Sequence, residues 1–287
     1  MIHEPRPHLR VVVEQTAPVL GDFASNRTAV EAAVRRAEAD VVVFPELTLT
    51  GYAVGYRARE LGVPLDGPPP VSLPEGGPVA VLGLIERGED HLTYNSAIAA
   101  RGACLLTVHR KLYLPTYGSY DEGRVFAAGR RSPKTFPIAP GWSAGILVCE
   151  DFWHPSLAYL LALQGADLLI VIVASAGRVI QDAGSGPAFG SVESWELIAR
   201  STAMLYGMWV VICNRVGAED GVTFAGGSTV TDPAGVIVAR APHADPARLE
   251  MTLELERVAR ARHPFSHLRD EDPSMTMYTL ERIVRER

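Results

Sequence analysis

Cysteine is scarce in this chain, with three in 287 residues, and an odd three cannot form a disulfide framework. A reducing compartment is therefore expected, the cytoplasm. Long apolar runs are absent too. None approaches the roughly 18 residues a membrane-spanning helix needs, so no membrane partner is expected. Met1–Arg10 holds charge and proline instead of an apolar stretch with a small-residue cleavage site, and no secretory signal is expected. Lysine and arginine form no dense run and the net charge is −6. That argues against nucleic acid, whose phosphates need cations clustered on one face. No histidine pair has the spacing of HExxH, so no metal is expected. Gly226-Gly227-Ser228 lacks the Lys-Ser/Thr ending of a phosphate loop, and no nucleotide or other cofactor is expected.

What is present is apolar sequence in short pieces. At 47% apolar residues the chain can bury a large core, as one α/β domain or two smaller ones. Strands are expected at Leu9–Glu14, Asp40–Phe44, Val79–Ile85, Leu92–Ala100, Ala103–His109, Ile146–Val148, Leu168–Ala174 and Trp209–Cys213. Further β structure is expected at Gly227–Asp232, Val236–Ala239 and Leu249–Leu255. A helix carrying Val30, Ala33, Val34 and Ala37 has Asn26 as its capping candidate. Another starts at Pro155 and stops at Gly165. A third, Val192–Tyr206, places Trp195, Ile198, Ala199, Thr202 and Leu205 on one face. Between Gly62 and Pro78 six prolines and three glycines exclude a helix.

Three of the strands deliver chemistry at their ends. Val41–Phe44 runs into Pro45-Glu46, His109-Arg110 into Lys111, and Gly145–Val148 into Cys149. A carboxylate, an ammonium and a thiol so placed suit attack on an unactivated amide or nitrile carbon. The thiolate attacks while Glu46 takes the thiol proton, passes it to the departing amine, and then activates water. Lys111 would stabilise the oxyanion with a backbone N–H beyond Cys149. Cys104 and Cys213 read as small buried hydrophobes in apolar strands. His109 and His154 flank two of the motifs and read as supports, since neither sits in a protease signature.

Taken together, FPELTLTGY (Phe44–Tyr52), RKLYLPTYGSYDEGRVFAAG (Arg110–Gly129), ILVCEDFWHP (Ile146–Pro155) and FAGGSTVTDPAGVIVARAP (Phe224–Pro242) resemble the nitrilase superfamily of carbon–nitrogen hydrolases. Most of the chain takes part. The resemblance implies a Glu-Lys-Cys triad at Glu46, Lys111 and Cys149 on a four-layer α-β-β-α sandwich, where periodicity alone gives α/β. The residues after Cys149 and the Tyr-Asp-Glu-Gly-Arg stretch look most like the glutaminase domain of glutamine-dependent NAD synthetases. By that likeness Glu122 is a second active-site carboxylate beside Lys111. Tyr117, Glu150, Trp153, Ser175 and Arg178 become candidates for substrate binding. Two alternatives stay open: Glu122 could pair with Arg124, and either Glu150 or Asp151 could cap the following helix.

The expected activity is hydrolysis of a small linear carboxamide, a glutamine-like side-chain amide being favoured. An N-carbamoyl amine or a nitrile would meet the same residues. An ammonia-supplying subunit active only with a partner, or a silent interaction protein, is the rival of another class. The expected organisation is a hydrolase domain over 1–261 and a tail over 262–287 at a subunit boundary. No ATP-using synthetase domain is expected beside the hydrolase domain, and an ammonia consumer is expected to be a separate protein. A homo-oligomer, a dimer or larger, is expected from the resemblance and from the commonness of symmetric pairs. The Pro-rich 62–78 segment departs from the family's longer helical one, leaving the outer helical layer incomplete and the site mouth beside it more open.

Overall fold

The computed structural model describes residues 6–117, 120–177, 179–180, 188–264 and 267–286, with the backbone alone at 179–180 and 188–191. The strands are β1 (His8–Gln15), β2 (Val41–Val43), β3 (Val79–Arg87), β4 (Thr93–Arg101), β5 (Cys104–Arg110), β6 (Phe136–Ala139), β7 (Trp142–Val148) and β8 (Leu168–Val173). They continue as β9 (Val179–Ile180), β10 (Ala188–Phe189), β11 (Trp209–Asn214), β12 (Val216–Glu219), β13 (Val222–Ala225), β14 (Thr229–Thr231), β15 (Ile237–Arg240) and β16 (Ala247–Glu254). The helices are α1 (Phe23–Arg36), α2 (Ala58–Leu61), α3 (Pro155–Leu163), α4 (Gly190–Tyr206), α5 (Leu255–Arg262) and α6 (Pro273–Glu286).

Two six-stranded sheets form, in the orders β16-β1-β2-β3-β4-β5 and β15-β14-β11-β8-β7-β6. The centres are parallel, β1-β2-β3 in one and β7-β8-β11 in the other, and antiparallel strands close the edges. Side-chain alternation turns this into layers. Val11, Val13, Val41, Val43, Val79 and Val81 face the second sheet in one core, which continues to Leu157 and Leu161 of α3 and Trp195 and Ala199 of α4. Val12, Val42, Ala80 and Leu82 face the other way, against Val30, Ala33 and Val34 of α1. Helix, sheet, sheet and helix therefore stack as an α-β-β-α sandwich.

Residues 62–78 form no helix, as their prolines require. The segment instead lays Val63, Leu65, Val71 and Leu73 on the outer face of the first sheet, next to α1. It covers that face as extended chain. Helix α1 starts earlier than expected, with Asp22 as the cap that accepts from Ser25 N. Asn26 is buried inside the helix, where it accepts from Val19 N and donates to the carbonyls of Val19 and Leu49. On α4, Leu205 is 51% exposed, and Ala203 takes its place in the core. Cys213 is buried as expected, but Cys104 is exposed on the edge strand β5. The sequence reading missed β6, the β9-β10 pair, the β12-β13 hairpin, α2, α5 and α6. No helix among the described residues is long and apolar enough to cross a membrane.

Candidate active site

Glu46, Lys111 and Cys149 follow β2, β5 and β7, with Ser175 after β8 and Asn214 ending β11. Functional groups gather at the carboxyl ends of parallel strands because the strands point there together and the loops beyond them are free to vary. Two of these ends are backbone-strained. Cys149 has φ 45° and Leu47, next to Glu46, has φ 50°. Side-chain-bearing residues seldom hold this left-handed conformation, and it persists where the surroundings over-determine it. At Glu46 the reason is visible. Gly83 N donates to Pro45 O, Leu49 N donates to Gly83 O, and a Cβ on Gly83 would run into the backbone of Glu46 and Leu47. Only glycine lets the Glu46 loop lie this close to β3.

Lys111 is the centre of the site. Its Nζ lies 2.8 Å from Glu46 Oε1 and 2.7 Å from Glu122 Oε1, and it is wholly buried, as is Glu46, while Glu122 is 4% exposed. Asn95 Nδ2 donates to Glu46 Oε1 at 2.7 Å, and Ala174 N donates to Glu46 Oε2 at 2.7 Å. Tyr52 Oη donates to Glu122 Oε1 at 2.6 Å. Among the described residues Glu122 Oε2 is buried without a hydrogen-bond partner. Charges are removed from water at this density only where they satisfy one another. Burial works against the Lys111 ammonium, but Glu122 and Glu46 outweigh it and hold the group well above its ordinary value. Burial also pushes Glu122 up, against the pull of Lys111. The Cys149 thiol is raised well above its usual range by burial and then by Glu46. Lys111 and the Ala174 amide pull the other way.

Asp151, two residues past the cysteine, shapes the turn that presents it. Its Oδ1 accepts from Leu112 N and Tyr113 N, and its Oδ2 accepts from Val148 N and meets His109 Nε2 at 2.8 Å. One buried carboxylate thus ties the Lys111 loop to the Cys149 turn, and His109 is the support it was expected to be. Asp151 caps the short 3₁₀ turn at Cys149, and among the described residues no side chain caps α3. The expected helix-capping role of Glu150 or Asp151 is corrected accordingly. Glu122 sits on Lys111, and Arg124 pairs with Asp121 instead.

The substrate-binding candidates spread outward from this centre. Tyr117, 58% exposed, donates to Glu150 Oε2 at 2.6 Å. Trp153 is 43% exposed with its ring edge-on to Trp195 at 5.4 Å, so it is not core. Ser175 is buried, its amide donating to Asn214 Oδ1. Arg178 lies outside the described residues. Tyr52, Asn95, Tyr120 and Asn214 were missed. Tyr120 Oη accepts from Ala176 N, and burial pushes its phenol up to about 12. Asn95 carried a signal: it is an amide inside the apolar run Tyr94–Ala100. Lys111 carried another, as one of two lysines among 27 basic residues. Among the described residues no group of His, Cys, Asp and Glu could hold a metal.

Comparison with known proteins agrees with this architecture. The sequence profile described as carbon–nitrogen hydrolase matches residues 13–263. A glutamine-dependent NAD(+) synthetase of Thermotoga maritima is 30% identical over 256 residues, 80% of this chain. The chain spans 39% of that relative's length. An (R)-stereoselective amidase of Pseudomonas sp. is 29% identical, with 91% of each chain covered. In structure, Nit3 of Saccharomyces cerevisiae, a member of branch 10 of the nitrilase superfamily, superposes with a TM-score of 0.74 at 22% identity. That match covers 91% of this chain and 95% of the other.

Proposed function

The chain belongs to the carbon–nitrogen hydrolase family, and from that membership and its buried charge network we propose that it hydrolyses a small linear carboxamide through a thioester on Cys149. Glu46 takes the thiol proton as Sγ attacks the carbonyl carbon, and the C=O pair moves onto oxygen. Lys111 Nζ and a backbone N–H of the turn after Cys149 stabilise that oxyanion. When the C–N bond breaks, Glu46 returns the proton to the nitrogen and ammonia leaves. Glu46 then deprotonates water, which attacks the thioester carbon; the Cys149 sulfur is expelled and takes that proton back from Glu46, restoring thiol and carboxylate as the acid product leaves as its carboxylate.

The observation that carries this reading is Lys111, wholly buried and held by two carboxylates beside a strained cysteine. The partnerless Glu122 Oε2 supports an amide among the candidate substrates. A carboxamide brings N–H donors to it, as an N-carbamoyl amine does, whereas a nitrile brings none. A glutamine-like side chain is favoured by the Tyr117–Glu150 pair at the exposed side of the site and by the synthetase relative. Free-standing turnover is favoured by the amidase relative, which this chain matches over 91% of either length. If the ammonia is passed on instead, a separate protein consumes it. A homo-oligomer is supported by the exposed apolar side chains of α4 and α6, among them Leu197, Met204, Met277, Leu280 and Val284.

Intact mass after brief exposure to a panel of amides, carbamoyl compounds and nitriles, with ammonia release in parallel, tests the reading. An acyl adduct on Cys149, with adduct and ammonia both lost in Cys149→Ala, is the expected result. No adduct and no ammonia from any of them would refute hydrolysis by the isolated protein and leave the partner-dependent or silent reading.

A further inference from the structure

One buried ion pair lies outside the groups that would touch substrate. Arg215 and Glu219 are 1% and 6% exposed, with Arg215 Nη2 2.5 Å from Glu219 Oε1. Such a pair is costly to bury, and its retention asks for a use. Glu219 Oε2 accepts from Tyr52 N at 2.8 Å and from Ala53 N at 2.9 Å, across a sequence separation of 167 and 166 residues. The approach depends on Gly51, at φ 76°, because a Cβ there would come within 2.8 Å of Glu219 Oε1. The Arg215 guanidinium lies over the Phe224 ring at 4.0 Å. Phe224 in turn packs edge-on to the Tyr52 ring at 5.8 Å. Tyr52 is therefore gripped by its backbone through Glu219 and by its ring through Phe224. Its phenol donates to Glu122 Oε1, the same oxygen that receives Lys111.

We propose that Arg215 and Glu219 are positioning residues: a clamp running along β12, from the base of the β12-β13 hairpin at Arg215 to its turn end at Glu219, that sets where Tyr52 places its phenol, and so where Glu122 meets Lys111. Neither residue touches substrate in this scheme. The proposal concerns the site on which the hydrolase reading rests, but its test does not require turnover.

The rate of Cys149 alkylation by iodoacetamide is measured against pH, with peptide mapping to separate Cys149 from the exposed Cys104, in wild type, Glu219→Gln, Tyr52→Phe and the double variant. Loosening Glu122 reduces the negative potential on the thiol, so the Cys149 profile moves to lower pH. The expected shift is ~0.5 unit in each single variant, about threefold in rate where rate follows thiolate fraction. The double variant moves no further than Tyr52→Phe alone, and the Cys104 profile stays fixed in all four. The clamp is overturned by a folded Glu219→Gln with the wild-type profile, by Tyr52→Phe with the wild-type profile, or by shifts that simply add in the double variant. Should Glu219→Gln not fold, Arg215→Lys takes its place in the cycle under the same criteria. If the profiles behave as expected while the wild type releases no ammonia from any amide, the clamp stands and the hydrolase reading falls.

Discussion

Replacing Lys111 by methionine removes the cation between two buried carboxylates and keeps most of the side-chain volume. Glu46 keeps Asn95 Nδ2 and Ala174 N as donors, and Glu122 keeps Tyr52 Oη, but neither retains a counter-charge within hydrogen-bond reach. Breaking a buried pair from one side costs ~3–5 kcal/mol. For a chain of this size that corresponds to a fall in Tm of roughly 5–8 °C. The loss depends on pH, and its sign follows from the direction of each shift. Lys111 is held above its ordinary value, so in the wild type its contribution is complete below the unfolded lysine value and is lost only as pH rises through the folded one. Between pH 5 and 8 that contribution is flat. In Lys111→Met burial acts on Glu122 without opposition from the ammonium. A carboxyl raised in the folded state loses stability as pH rises. The gap between wild type and variant therefore widens from pH 5 to pH 8. Thermal unfolding at the two pH values checks this. A variant as stable as wild type at pH 7, or a gap that does not change with pH, would refute the account of the network.

Three further perturbations follow from the same geometry. Asp151→Ala strips the partner from three backbone amides and His109 at once; a loss on the order of 3 kcal/mol in urea unfolding is expected, with Cys149 acylation falling in parallel. Gly83→Ala forces the Glu46 loop off β3, costing about 1–3 kcal/mol by overpacking. Its rate of acyl-adduct formation should drop even in the fraction that stays folded at 20 °C. Tyr117→Phe should leave Tm unchanged, a change at an exposed residue being worth within about 0.5 kcal/mol. It should raise KM for a glutamine-like amide several-fold while kcat holds, and equal KM values in the two proteins would remove Tyr117 and its bond to Glu150 from the substrate's path.

The parts of the site that were legible in the sequence are those whose signal is local. Glu46, Lys111 and Cys149 each interrupt the end of an apolar strand, and a polar group there stands out against its own neighbours. The groups that hold them were not legible, because each is defined by a partner far along the chain. Asn95 meets Glu46 across 49 residues, Tyr52 meets Glu122 across 70, and Glu219 meets Tyr52 across 167. Only folding decides such pairs. The same reason explains the edges of the fold. β6 has an antiparallel partner directly after it, but Pro137 inside the strand masks it, which an edge position tolerates. Asp22 outcompeted Asn26 as the cap because Asn26 has buried carbonyl and amide partners of its own.

The charge balance of the site bears on when the nucleophile forms. Lys111 carries one positive charge and Glu46 and Glu122 two negative ones, all within hydrogen-bond reach of a single ammonium. A resting thiolate on Cys149 would add a further negative charge in a buried setting, which is the direction in which burial and Glu46 already oppose it. On the proposed mechanism the cysteine rests as a thiol, and its proton leaves as the attack occurs. The transfer suits an arrangement in which the base is Glu46 itself: taking the proton removes one of the two negative charges just as the substrate oxygen begins to gain one. Lys111 then faces one carboxylate and one oxyanion in place of two carboxylates, so the total charge around it does not change through the step. Electrostatic stabilisation of this kind needs little rearrangement, since Lys111 is already held by Glu46 and Glu122, which Asn95, Ala174 and Tyr52 fix in turn.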